Sequence, residues 1–283
     1  MAATLTRNTH GKGRVRVMRV HRDGDRHEVR ELTVRAMVAG DFGQAFTDAD
    51  NSTSVSTDTI RNVVNVVARE NVALDTEPFC AALAERLLGL YAQVETATVT
   101  AHEAKWTRLS VDGAPHPHGF VLDGNGKPFA EVAAARGGRA VLRSGVSGFT
   151  FLKTTGSGWA DFAKDLYTTI PETRDRLCST SMDAGWRWRA TPPGGHAAAN
   201  ALVLGTMLEV FAGTYSHSVQ DSIYRMADAA LDAVPEIDEI TLACPNKHYL
   251  PIDLSRFGLS SDNQVFLPTD EPHGQIECTV ARG

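Results

Sequence analysis

Cysteine is scarce in this chain and scattered: Cys80, Cys178, Cys244 and Cys278 form no C-x-x-C pair. That spacing excludes a structural zinc site and a disulfide framework, points to a reducing compartment, and leaves each cysteine to read as a small buried residue. Basic charge is not concentrated either. With 28 Lys plus Arg against 34 Asp plus Glu the net charge is −6, and no basic run interleaves with aromatics, so a nucleic-acid partner is not expected and a small ligand is. Long apolar runs are missing as well: the most apolar stretch, Ala197 to Gly213, is interrupted by Asn200 and Glu209, so no membrane span is expected. Residues 1–10 carry no signal-peptide core and the sequence does not end in Ser-Lys-Leu, which makes cytoplasm the expected location. No glycine-rich phosphate loop, dinucleotide fingerprint or serine nucleophile elbow occurs. His116-Pro117-His118 invites a metal reading, but it lacks the third converging ligand and its prolines mark a turn.

What remains is a globular chain of 283 residues, 42% hydrophobic, long enough for one or two sizeable cores. Val15–Val20 and Glu31–Val38 read as a hairpin across Arg22-Asp23-Gly24-Asp25. Ile60, Val63, Val64 and Val67, then Phe79, Leu83, Leu87 and Leu90, fall at helical spacing. Long strands over 94–109 and 120–134 follow, separated by the turn-rich 112–117. The second half repeats the order, with strands over 140–153 and 177–189, helices over 196–215 and 219–234, and strands over 237–244 and 265–280. The pattern is an internal duplication of a β-β-α-α-β-β unit, residues 1–138 and 139–283, with Thr57-Asp58-Thr59-Ile60 answering Gln220-Asp221-Ser222-Ile223 at two helix starts. Such units predict an α+β fold: antiparallel sheets with helices on one face and open edges that need cover.

Several residues could carry chemistry. A helix start offers unpaired N–H groups to an anion or a polarised carbonyl, although Ser56, Thr57 and Ser218 serve equally well as plain N-caps. Arg176 has a fork suited to two adjacent acceptors, and it also has Asp175 and Glu172 nearby for an ordinary surface ion pair. Trp159 can stack on a flat ring or can be core, with Phe162 doing the stacking. Lys12, in His10-Gly11-Lys12-Gly13, is a solvated surface charge by default. Asn246 and His248 stand two apart in Cys244-Pro245-Asn246-Lys247-His248-Tyr249-Leu250-Pro251, a spacing that puts both on one face of a strand; a core histidine and a strand-edge amide are the plain alternative.

These motifs, together with Asp50-Asn51-Ser52 running into Val55-Ser56-Thr57-Asp58-Thr59-Ile60, the Tyr167–Arg176 segment and the Pro115-His116-Pro117-His118 block, resemble the urate oxidase (uricase) family over nearly the whole chain. The resemblance implies two tunnelling-fold (T-fold) units per chain and a homotetramer whose sheets close into a barrel, with active sites shared between subunits. It implies oxidation of urate by O2 and water to 5-hydroxyisourate and hydrogen peroxide, with no cofactor and no metal. Lys12, Thr57 and His248 then match a catalytic proton relay. Arg176 and Gln220 match the residues that grip the purine edge, the backbone at Asp58 and Val219 also holds the ring, and Asn246 faces oxygen. Trp159 departs from the family's usual phenylalanine. The rival readings are another T-fold enzyme acting on a pterin or purine ring, and a non-catalytic purine-binding protein.

Overall fold

The computed structural model describes residues 3–283, which divide into two compact units. The first runs to Gly145 and includes Ala190–Ala197; the second comprises Val146–Arg189 and Ala198–Gly283.

In the first unit, β1 (His10–Asp23) and β2 (Arg26–Gly40) form the expected hairpin, longer than its apolar pattern. A short α1 (Gly43–Thr47) has no buried residue and therefore left no periodic signal. Helices α2 (Thr57–Glu70) and α3 (Thr76–Leu90) follow, then β3 (Val94–Val111). The strand expected over 120–134 is instead two, β4 (Ala114–Asp123) and β5 (Lys127–Ala135), both antiparallel to β3. Gly124-Asn125-Gly126 breaks it: Asp123 Oδ1 accepts from Asn125 N–H, and Gly126 turns the chain at φ 77°. The turn expected over 112–117 shrinks to Asp112-Gly113, so the Pro-His-Pro-His block lies in β4.

One face of β2, β3 and β5 is apolar at every second residue. Leu32, Val34, Ala36 and Val38, then Ala97, Val99 and Ala101, then Ala130 and Val132 are all buried. Against them pack Ile60, Val64 and Val67 of α2 and Phe79, Leu83 and Leu87 of α3; Leu90, at the helix end, is exposed. Each fully buried Leu or Phe contributes about 1.5–3 kcal/mol of transfer free energy.

The second unit begins within β6 (Val141–Lys153), followed by β7 (Cys178–Trp188), α4 (His196–Gly213), α5 (Val219–Ala233), β8 (Ile237–Pro251) and β9 (Phe266–Ala281). The strands lie in the order β6-β7-β8-β9, with β7-β8 and β8-β9 antiparallel. Met182, Ala184 and Trp186 of β7 and Ile240, Leu242 and Cys244 of β8 alternate into a core closed by Ile223, Met226, Ala227 and Ala230 of α5. By length and composition α4 is apolar enough to cross a membrane, and in the structure one face of it is buried. Val203, Met207 and Phe211 are buried, Trp186 Nε1 donates to Asn200 Oδ1 at 3.0 Å, and Lys153 Nζ caps its last carbonyls. Among the described residues of their own units β1 bonds to β2 alone and β9 to β8 alone, leaving each with an unpaired edge.

All four cysteines are free; three are buried and Cys278 is half-buried. Desolvation pushes every resolved thiol upward: Cys80 and Cys278 above the usual range and Cys244 to about 12.

Candidate active site

Three of the nine candidate residues lie in the first unit. Lys12 sits on β1 where two residues, Gly13 and Arg14, oppose the single Arg35 of β2, and Arg14 takes the left-handed conformation at φ 56°. Such a bulge re-aims the side chain beside it. Gly11 is required there, because a Cβ would stand 2.1 Å from the Ala36 carbonyl oxygen. Two residues from Lys12, His10 Nε2 lies 3.0 Å from the carbonyl of Val55, and Gln93 Nε2 donates to Thr53 O at 2.8 Å. The first bond ties the start of β1, and the second the residue before β3, to the loop that feeds α2.

Ser56 caps α2, its Oγ accepting from Asp58 N–H at 3.3 Å, so Thr57 is the first helical residue and is exposed with Asp58. The plain capping role is therefore real. It leaves other N–H groups of the first turn unpaired within the helix. Asp58 is also ion-paired with Arg61 at 2.8 Å, so what it offers a ligand is its backbone.

The other six residues lie in the second unit. Ser218 caps α5 through Asp221 N–H at 3.1 Å, placing buried Val219 and exposed Gln220 in the first turn. The preceding connector is woven into two further segments. Ser216 N–H donates to Gly156 O and Ser216 O accepts from Gly158 N–H, both at 2.9 Å. Trp159 and Thr173 exchange two backbone bonds of 2.7 and 2.9 Å, and Arg176 N–H donates to Ser157 O at 2.9 Å. Trp159, Arg176, Val219 and Gln220 thus rise from one hydrogen-bonded mesh.

The surface ion pair open to Arg176 in the sequence is not made. Asp175 Oδ1 instead accepts from Thr155 Oγ1 at 2.8 Å and from Gly156 N–H, while Glu172 pairs with Lys164 at 2.5 Å. Among the described residues the Arg176 fork has no ion pair, and its buried Nε has no hydrogen-bond partner. A buried guanidinium nitrogen without an acceptor is costly unless a ligand supplies one. Trp159 lies parallel to Phe162, centroids 5.2 Å apart and planes at 11°, so the two aromatics between which the sequence left the stacking role open form one stack.

Asn246, Lys247 and His248 continue β8, all half-buried. Between Asn246, opposite Gly274, and His248, opposite Thr269, β9 interposes Asp270–His273 against Lys247 alone, and Lys247 Nζ pairs with Asp270 at 3.1 Å. The amide and the imidazole therefore flank an irregularity, as Lys12 does in the other unit. Among the described residues no three His, Cys, Asp or Glu side chains are placed to hold a metal ion.

Sequence reasoning did not find Gly158, Tyr215 or Ser216, which build the mesh. Their partners lie tens of residues away, and no local signal marks them.

The uricase family model matches residues 8–133 and 142–277. Uricase from Oryctolagus cuniculus is 36% identical over 98% of this chain and 94% of its own length, and uricase from Cyberlindnera jadinii is 35% identical over 100% and 98%. The crystal structure of uricase from Arthrobacter globiformis superposes with a TM-score of 0.93 at 35% identity, covering 100% of this chain and 96% of that one. Motifs, fold and full-length similarity agree, and the chain belongs to the uricase family.

Proposed function

We propose that the chain oxidises urate with O2 and water to 5-hydroxyisourate and hydrogen peroxide, without a metal or organic cofactor. The observation that carries the reading is the Arg176 fork, left without an ion pair while both neighbouring carboxylates are occupied, on the mesh that also sets Gln220. Urate is largely a monoanion at neutral pH, and two parallel N–H donors beside an amide suit its carbonyl and ring-nitrogen edge. The Trp159–Phe162 stack offers a flat aromatic surface to the purine. Backbone N–H groups at Asp58 and Val219, one at each helix start, hold the ring.

Deprotonation of bound urate through Lys12, Thr57 and His248 raises its electron density. One electron then passes to O2 held near Asn246, and recombination gives a urate hydroperoxide. Loss of hydrogen peroxide and addition of water at the same carbon give 5-hydroxyisourate, so two electrons leave urate and two reduce O2. The protein supplies orientation, proton transfer and electrostatics.

Assembly into a homotetramer with shared sites fits the unpaired edges of β1 and β9 and the almost fully exposed Leu166 and Tyr167. Decay of urate's ultraviolet band with stoichiometric oxygen uptake and peroxide release, unchanged by exhaustive chelation, tests the chemistry. Binding without oxygen uptake would leave only a purine-binding protein. Reassociating inactive Thr57→Ala and Arg176→Ala subunits tests the sharing: recovered activity supports it, and none despite subunit exchange rejects it.

A further inference from the structure

Tyr215, in the connector between α4 and α5, reaches both segments that carry Trp159 and Arg176. Its hydroxyl donates to the Arg174 carbonyl at 2.7 Å, two residues before Arg176. The same oxygen lies 2.3 Å from where a Cβ on Gly158 would stand, next to Trp159. The connector itself is anchored from below. Lys153 Nζ donates to Phe211 O at 3.1 Å and Thr214 O at 2.7 Å, with the ammonium 4.9 Å from the Phe211 ring, and Ser222 Oγ donates to Ser216 Oγ at 2.6 Å. Tyr215 is thus a strut with a fixed foot and a hydroxyl tip wedged between residues 158 and 174.

We propose that Tyr215 is a positioning residue for urate, setting the spacing between the Trp159 ring platform and the Arg176 fork. The inference rests on the reading of those two residues as the urate clamp. Tyr215 touches neither reacting atom, and its effect passes through Gly158 and the Arg174 backbone. Because the clamp acts on bound purine alike before and during reaction, loosening it weakens uniform binding: KM rises while kcat holds. Gly158 is the other half of the device. It lacks a side chain because the hydroxyl fills that space, so adding a methyl displaces the tip that Tyr215→Phe merely deletes.

Steady-state kinetics with urate, affinity for the purine analogue 8-azaxanthine, and melting temperature on Tyr215→Phe, Gly158→Ala and the double variant test this. Tyr215→Phe is expected to raise KM and the 8-azaxanthine Kd about fivefold to tenfold, with kcat within twofold and melting nearly unchanged. Gly158→Ala is expected to do more. The double variant should recover part of that loss, since the clashing oxygen is gone; recovery is partial because the new methyl still lies 3.0 Å from Thr173 O. A Tyr215→Phe enzyme with wild-type KM and Kd, or a double variant worse than the sum of its parts, overturns the proposal. Wild-type protein inert toward urate and 8-azaxanthine overturns the reading on which it rests, and the proposal with it.

Discussion

The two helix starts are built from the same parts and held in opposite ways. At α2 a serine caps the helix with a 3.3 Å bond, Thr57 and Asp58 are exposed, and the incoming loop is secured by the bonds from His10 and Gln93. At α5 a serine again caps the helix, but the incoming connector is bonded to residues 156, 158 and 174, and Ser216 and Val219 are buried. The firmly bonded start carries Val219 and the Gln220 side chain proposed to grip the purine, and the lightly held one carries, besides the proposed backbone contact at Asp58, the Thr57 hydroxyl proposed for proton transfer. A grip has to be fixed before the ligand arrives, whereas a relay needs only a short path for a proton.

The sharpest way to break this division is to remove the relay. Lys12→Met and Thr57→Ala should each lower kcat by about 10²–10⁴-fold while 8-azaxanthine affinity changes little. The double variant should be scarcely worse than the poorer single, because residues acting as one unit are not additive. Equal losses in kcat and inhibitor affinity would put Thr57 in the grip. Next in size, Arg176→Ala should weaken 8-azaxanthine binding tenfold or more, from the roughly 1–3 kcal/mol cost of an unpaired buried polar group. Unchanged inhibitor affinity would remove Arg176 from the site.

Stability should separate the helix starts more gently. Ser218→Ala should cost about 1 kcal/mol in chemical denaturation and Ser56→Ala less, given its longer and more exposed cap bond. The reverse ranking would contradict the contrast.

The smallest effect concerns acid. His196 in the first unit is buried, and desolvation holds its imidazole below the ordinary 6.5 despite the opposing pull of Glu77 and Asp75. The unfolded chain therefore binds a proton that the folded one refuses. Stability contributed here is whole above about pH 6.5 and falls as pH drops toward the folded value, by at most about 1.4 kcal/mol per pH unit for one proton. Denaturation at stepped pH should show this slope, and His196→Gln should flatten it.

Much of this was legible along the chain. Ile60, Val64 and Val67 announced α2 by their spacing, and the alternation in β2 set its buried face. Three departures have local causes. Gly124 and Gly126 break a strand that apolar content alone runs on, α1 buries nothing, and the strand expected over 237–244 continues through Pro245 to Pro251. The strand absorbs that proline by interrupting its ladder with β7 between Ala243 and Asn246. Every candidate residue was readable from motifs, but the state of Arg176 was not. Whether a guanidinium is free depends on Thr155 and Lys164 having already claimed its carboxylate neighbours, a question of three dimensions that no spacing answers.

The buried thiols bear on how long such a catalyst lasts. Thiolate, not thiol, attacks the O–O bond of peroxide. Burial pushes the Cys244 thiol up to about 12, so the sulfur is held as the neutral thiol at neutral pH. It lies on the strand that leads to Asn246, two residues from where oxygen is reduced in the proposed reaction. In that reaction each turnover releases an oxidant beside a sulfur that the surrounding core keeps protonated and therefore slow to react.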